Sequence, residues 1–265
     1  MTREEYLAQP ELPVILTFKL AFQQLLDNLH HLARFAIPLF LLLLVAPFLG
    51  VSVPPEGQPF DGYWQTMAWI AIYWLAMIMV AINCHQLFIL GPEQSHQLKT
   101  WRWGRREWRF LGYGIVFALI LMVLSIPFVV AGMATWSLFD NDVIAEWVFM
   151  VLLMIPLAYL MARLMLVFPA IAIGETFSWS DARRLSAHFQ YRLILLIGLL
   201  PLVTSTLTQL IPNQDVPWVY TVTHLIWLPV LAFELCVLSL CYCYLTHTQE
   251  QPVTQDTEAV DVQFE

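Results

Sequence analysis

Two charged residues lie well inside long apolar runs: Arg163 between Val143 and Ile173, and Glu234 between Val216 and Leu245. A charge in hydrocarbon costs at least ~2.5–3.5 kcal/mol on insertion scales, so each group must face protein or water. Arg163 lies ten residues before the end of its run and Glu234 eleven before the end of its own, which sets the two at matching depths. The spacing predicts an intramembrane polar pair, joined directly or through water. Such a pair suits either of two roles: a polar pathway or proton relay, or a clamp that fixes helix packing. Asn83 and His85 extend the polar set, and Thr223 and His224 lie toward the opposite end. Pro156 and Pro229 precede the two charges by seven and five residues. Because proline removes a backbone donor and crowds the preceding turn, both are read as helix interruptions beside a midplane site.

A second chemistry belongs to Lys99, Trp101, Arg102, Trp103, Arg105, Arg106, Trp108 and Arg109, which interleave cations with indoles. Basic groups beside an anionic membrane surface contribute about 1 kcal/mol each, so the segment reads as a lipid-headgroup site. The same residues would also anchor and orient the neighbouring span. Nucleic acid is not an expected partner, since the patch is short and carries no accompanying recognition motif. Cys84, Cys236, Cys241 and Cys243 lie in apolar surroundings and read as packing residues. Cys241, Cys243 and His247 lack a second ligand pair at finger-like spacing, so no metal is expected. The chain has no phosphate-binding glycine loop, metalloprotease His-Glu-x-x-His or serine-hydrolase elbow. No catalytic residue and no cofactor is expected, and the chain is read as a non-enzyme.

These groups need elements to hold them, and composition indicates which. Of 265 residues, 59% are hydrophobic and 12% charged, roughly half the charge of an average soluble domain. The apolar residues form blocks rather than stripes, and about 20 such residues cross a hydrocarbon core. Six transmembrane helices are predicted: Phe35–Val53, Trp64–Leu90, Phe110–Trp136, Val143–Ile173, Leu193–Ile211 and Val216–Leu245. The fold class is therefore all-α, a polytopic membrane helix bundle in one domain over 1–248, followed by an acidic, disordered tail over 249–265. The loops 54–63, 137–142 and 212–215 contain no Lys or Arg, whereas eleven of the twelve basic residues fall on the other side. That bias places both termini in the cytoplasm of a multi-pass protein.

Three segments are predicted to lie along the inner headgroups. Residues 13–32 repeat Ile15, Phe18, Phe22, Leu25, Leu29 and Leu32 at intervals of three and four. The basic-aromatic segment 99–109 is the second. The third starts at Ser178 or Ser180, where a serine N-cap precedes Asp181. A threefold repeat, 13–90, 91–173 and 174–245, is suggested by the junctions Leu87-Phe-Ile-Leu-Gly-Pro-Glu93 and Phe168-Pro-Ala-Ile-Ala-Ile-Gly-Glu175.

The stretch from Arg163 through Phe168-Pro169-Ala170 and Gly174-Glu175 to Ser180-Asp-Ala-Arg-Arg-Leu-Ser186 resembles a segment of uncharacterised bacterial six-span inner-membrane proteins. It is also similar to the membrane domain attached to some glycerophosphodiester phosphodiesterases. The close likeness covers about 25 residues. It implies a helical protein of the bacterial inner (cytoplasmic) membrane and brings no catalytic residues, because the phosphodiesterase domain is absent.

The function expected is that of a multi-pass membrane component acting through partners. Those partners are anionic lipid headgroups, together with a membrane-protein partner or a second copy of the chain. A transporter of ions or small molecules built around Arg163 and Glu234 is the alternative, and a lipid-modifying membrane enzyme the third reading.

Overall fold

A computed structural model of the chain describes residues 2–45, 64–95, 103–136, 142–209 and 217–250, and all regular structure among them is helical. Helices α1 (Arg3–Leu7), α2 (Val14–Asp27) and α3 (Leu29–Val45) precede α4 (Trp64–Leu90) and the short α5 (Pro92–Ser95). Helices α6 (Arg105–Trp136), α7 (Asp142–Leu164), α8 (Val167–Ile173) and α9 (Trp179–Leu185) follow. The chain closes with α10 (Gln190–Leu193), a π-helical segment Ile194–Leu199, α11 (Leu200–Gln209) and α12 (Pro217–Glu250). Five helices are long and apolar enough to cross a bilayer, or six if α2 and α3, bent by 75°, form one span.

The bend has a local cause. The Asn28 side chain donates to the Gln24 carbonyl at 2.9 Å, ending α2, while its own carbonyl receives the His31 and Leu32 amides at 3.0 Å and starts α3. Helix α2 buries Thr17, Leu20, Ala21 and Leu25 against α12. This differs from the apolar face predicted from sequence, because Ile15 is 81% exposed and Phe22 56%. Thr17 and Ala21 are small and let α2 approach α12 closely, leaving the bulkier apolar residues outward.

Helix α12 runs through the middle of the packed end. It touches α1, α2, α3, α4, α8 and the π segment, and Leu235–Leu245 are buried throughout. Helix α6 lies at the other extreme, since no residue of its most apolar 18-residue stretch is buried. Water-soluble proteins rarely leave so continuous an apolar surface uncovered. A hydrocarbon solvent accounts for it, because lipid carries no hydrophobic penalty against leucine or valine.

The return segment predicted as one helix from Val143 is broken at Met165–Leu166. Pro169 explains the position, because its ring excludes the carbonyl four residues earlier, that of Met165. The two junctions compared in the sequence, around Gly91 and Gly174, end in the same conformation. Gly91 (φ 85°) and Gly174 (φ 93°) are left-handed caps, a backbone state that costs residues with a Cβ about 1–2 kcal/mol. Gly174 closes the fuller version, with Gly174 N–H donating to Ile171 and Glu175 N–H to Ala170, each at 3.0 Å.

Candidate functional site

Arg163 sits in the last turn of α7, and its guanidinium donates to three acceptors, all of them neutral. It donates to the Tyr159 hydroxyl at 2.7 Å, the Arg183 carbonyl at 3.3 Å and the Ser186 hydroxyl at 3.4 Å. Its carbon also lies 5.5 Å from the Tyr159 ring centre, in cation–π range. Glu234, on α12, faces Thr204 of α11 and forms a short hydrogen bond with its hydroxyl. The direct ion pair expected between Arg163 and Glu234 is therefore absent. The π segment packs against both α7 and α12, and equal depth along two helices does not by itself make their side chains an ion pair.

The ion pairs among the described residues are Arg106–Glu107, Arg184–Asp181 and Arg192–Glu11. None involves Arg163 or Glu234. Helices α7 and α12 continue through Pro156 and Pro229, so neither proline interrupts its helix. The irregular backbone lies instead at Met165–Leu166 and in the π segment, one turn from Thr204. A π segment inside a span is a common companion of functional sites.

Of the predicted headgroup residues, Lys99, Trp101 and Arg102 lie outside the described residues. Arg105 opens α6 on its exposed side. Arg106 is neutralised by Glu107 at 2.6 Å, and that nearly buried carboxylate also caps Gly104 N–H at 2.8 Å. Arg109 donates to the Glu175 carbonyl at 3.4 Å. Trp108 is 62% exposed, with the Trp103 ring edge-on at 5.4 Å. Trp103 also lines an apolar groove of about 630 Å³ between α3 and α4, whose walls include Pro38, Leu42, Ile72 and Met79. The buried indole N–H of Trp103 has no hydrogen-bond partner among the described residues.

Several organising contacts carried weaker signals in the sequence. His85 is fully buried, with Nδ1 2.8 Å from the Ser239 hydroxyl, which itself donates to the Leu235 carbonyl at 2.7 Å. A hydroxyl has one hydrogen, so the arrangement assigns the proton to His85 Nδ1. His85 Nε2 is left buried without a partner among the described residues. Gln86 donates to the Ala172 carbonyl at 2.7 Å, tying α4 to α8, and Tyr242 donates to Glu175 at 2.5 Å. Only the occurrence of polar residues in apolar runs could have flagged these, since the partners are 67 to 154 residues away. The side chain of His224 lies outside the described residues.

The N-terminal segment is sewn to the same end. Arg3 donates to the Ile89 carbonyl at 2.8 Å and the Cys243 sulfur at 3.0 Å. Tyr6 packs beside Tyr244 and shares a hydrogen bond of 3.1 Å with Thr17, and burial pushes its phenol well above the ordinary value. Arg192 reaches back to the Leu12 carbonyl at 2.9 Å and pairs with Glu11. Arg3 and Arg192 thus tie the N-terminal segment to parts of the chain far away in sequence. Among the described residues, no group of three or more His, Cys, Asp or Glu is placed to hold a metal ion. Comparison with protein-family models, curated proteins and solved structures finds no match.

Proposed function

We propose that the chain is a multi-pass protein of the bacterial cytoplasmic membrane, with both termini inside, that acts by holding anionic phospholipid rather than by catalysis. The observation that carries the reading is Trp103, which brings the basic-aromatic segment to the apolar groove between α3 and α4 and has a buried N–H without a partner among the described residues. A buried indole N–H normally has an acceptor. An acyl chain in the groove, with an ester oxygen at Trp103, would supply one while Arg105 faces the headgroup. Purification in mild detergent followed by lipid mass spectrometry tests this. Bound phosphatidylglycerol should accompany the wild type and be depleted in Trp103→Ala and in the groove-filling Ile72→Trp. Lipid-free wild-type protein, or unchanged lipid content in both variants, would overturn it.

The Glu234–Thr204 contact favours a second reading. A carboxyl inside a span without a cationic partner among the described residues is a recurrent feature of ion and proton pathways. Proteoliposomes that carry no ion or metabolite flux, with Glu234→Gln indistinguishable from the wild type, would eliminate transport.

A further inference from the structure

Arg163 lies within a candidate span, Val151–Ile173, yet its guanidinium ends on Arg183 and Ser186, beyond every candidate span. The side chain therefore reaches the boundary of the apolar zone. There it touches the backbone of a second basic residue, Arg183, whose own side chain is exposed and enters no ion pair among the described residues. The three neutral acceptors orient the Arg163 guanidinium without cancelling its charge. Below it, Leu152, Ile155 and Tyr159 form an exposed stripe along α7, at 41, 63 and 38% exposure. Spacings of three and four residues put this stripe and Arg163 on one helix face.

The geometry points to a second lipid site here: the phosphate of an anionic glycerophospholipid bound by Arg163 and Arg183, with its acyl chain along Leu152 and Ile155. The inference rests on the reading of the chain as a lipid-holding membrane protein, but not on the groove at Trp103. Arg163 is pre-positioned, since Tyr159 and the Arg183 carbonyl hold its fork while leaving other guanidinium hydrogens for a phosphate. Two uncompensated cations favour a headgroup with net negative charge over a zwitterionic one. Arg184 is set apart by its pairing with Asp181 at 3.5 Å.

The experiment is native mass spectrometry of the full chain in detergent, titrated with phosphatidylglycerol or phosphatidylethanolamine. Wild type should retain phosphatidylglycerol preferentially. Arg183→Gln and Arg163→Gln should each weaken it about fivefold, with Arg163→Lys intermediate. Arg183→Gln keeps the backbone carbonyl that Arg163 uses, so its thermal stability should equal that of the wild type. Inorganic phosphate should not displace the lipid; displacement by phosphate would assign the site to a soluble ligand and overturn the proposal. Unchanged retention in Arg183→Gln would also overturn it. If retention persists in both arginine variants but falls in Trp103→Ala, this site is wrong and the groove reading stands. If wild type shows no preference, both fail.

Discussion

A methyl group added at Gly198 would lie 2.2 Å from the carbonyl oxygen of Ala158, so the π segment and α7 touch backbone to backbone at that point. Ala158 and Ala162 are both fully buried on the same face of α7. Small residues one turn apart allow this approach, which in lipid replaces hydrophobic burial as a source of helix association. Since the obstacle is main chain, it cannot rotate away.

Gly198→Ala should therefore destabilise the bundle by roughly 1–3 kcal/mol, the usual range for forced overpacking. Gly112→Ala is the control, because a methyl there meets nothing within 4 Å. Thermal denaturation in a single detergent should lower the transition for the first variant and leave the second near wild type. Equal behaviour of the two would contradict the close approach.

The His85–Ser239 hydrogen bond gives a double-variant test. Ser239→Ala should cost about 1–3 kcal/mol, because it strands a buried ring N–H. His85→Leu combined with Ser239→Ala removes both polar partners and should cost less than the two single changes added together. Strict additivity in equilibrium unfolding would show that the two residues are not coupled.

The caps at Gly91 and Gly174 make parallel predictions. Alanine at either should cost about 1–2 kcal/mol, because the left-handed backbone crowds a Cβ. Asparagine at Gly174 should be milder, since its side chain tolerates that region. No atom lies within 4 Å of the added Cβ at either glycine, so any loss reports conformation rather than a clash. Detergent melting curves ranking Asn with or below Ala at position 174 would refute the assignment.

Asp181 links the N-cap of α9 to pH. The Ser178 hydroxyl and backbone N–H both donate to its carboxylate and hold it below the usual aspartate range, with Arg184 adding to the effect. A carboxyl depressed in the folded state stabilises at pH above its unfolded value of about 3.9. That stabilisation is lost as pH falls through the folded value. Hydrogen exchange at the start of α9 should accelerate below about pH 4 relative to a distant helix, and Asp181→Asn should abolish the pH-dependent part. Ser178→Ala should loosen the helix by about 1 kcal/mol at neutral pH.

Much of the architecture was legible because membrane helices obey one-dimensional rules. Continuous apolar runs located the long helices, and Ser178 followed by Asp181 located the start of α9. Other features escaped because their causes were not local. Pro156 and Pro229 were accommodated within continuous helices, while Pro169 produced a break and the segment predicted from Leu193 widened into a π turn. Whether a proline bends or breaks a helix depends on whether neighbouring chains stabilise the freed backbone groups.

Arg163 and Glu234 mark the division most clearly. The sequence by itself determined that both are isolated charges at similar distances from the ends of their runs, because each helical residue advances about 1.5 Å. Depth follows from counting residues. Direction does not, since rotation about each helix axis and the order of helices around the bundle depend on packing across the whole chain. The close contact of Gly198 with Ala158 places the π segment against α7, and the same segment also packs on α12. That arrangement gives Arg163 to Tyr159, Arg183 and Ser186, and Glu234 to Thr204. Only the tertiary structure could decide those partners, because side-chain contact requires matching azimuth as well as matching depth.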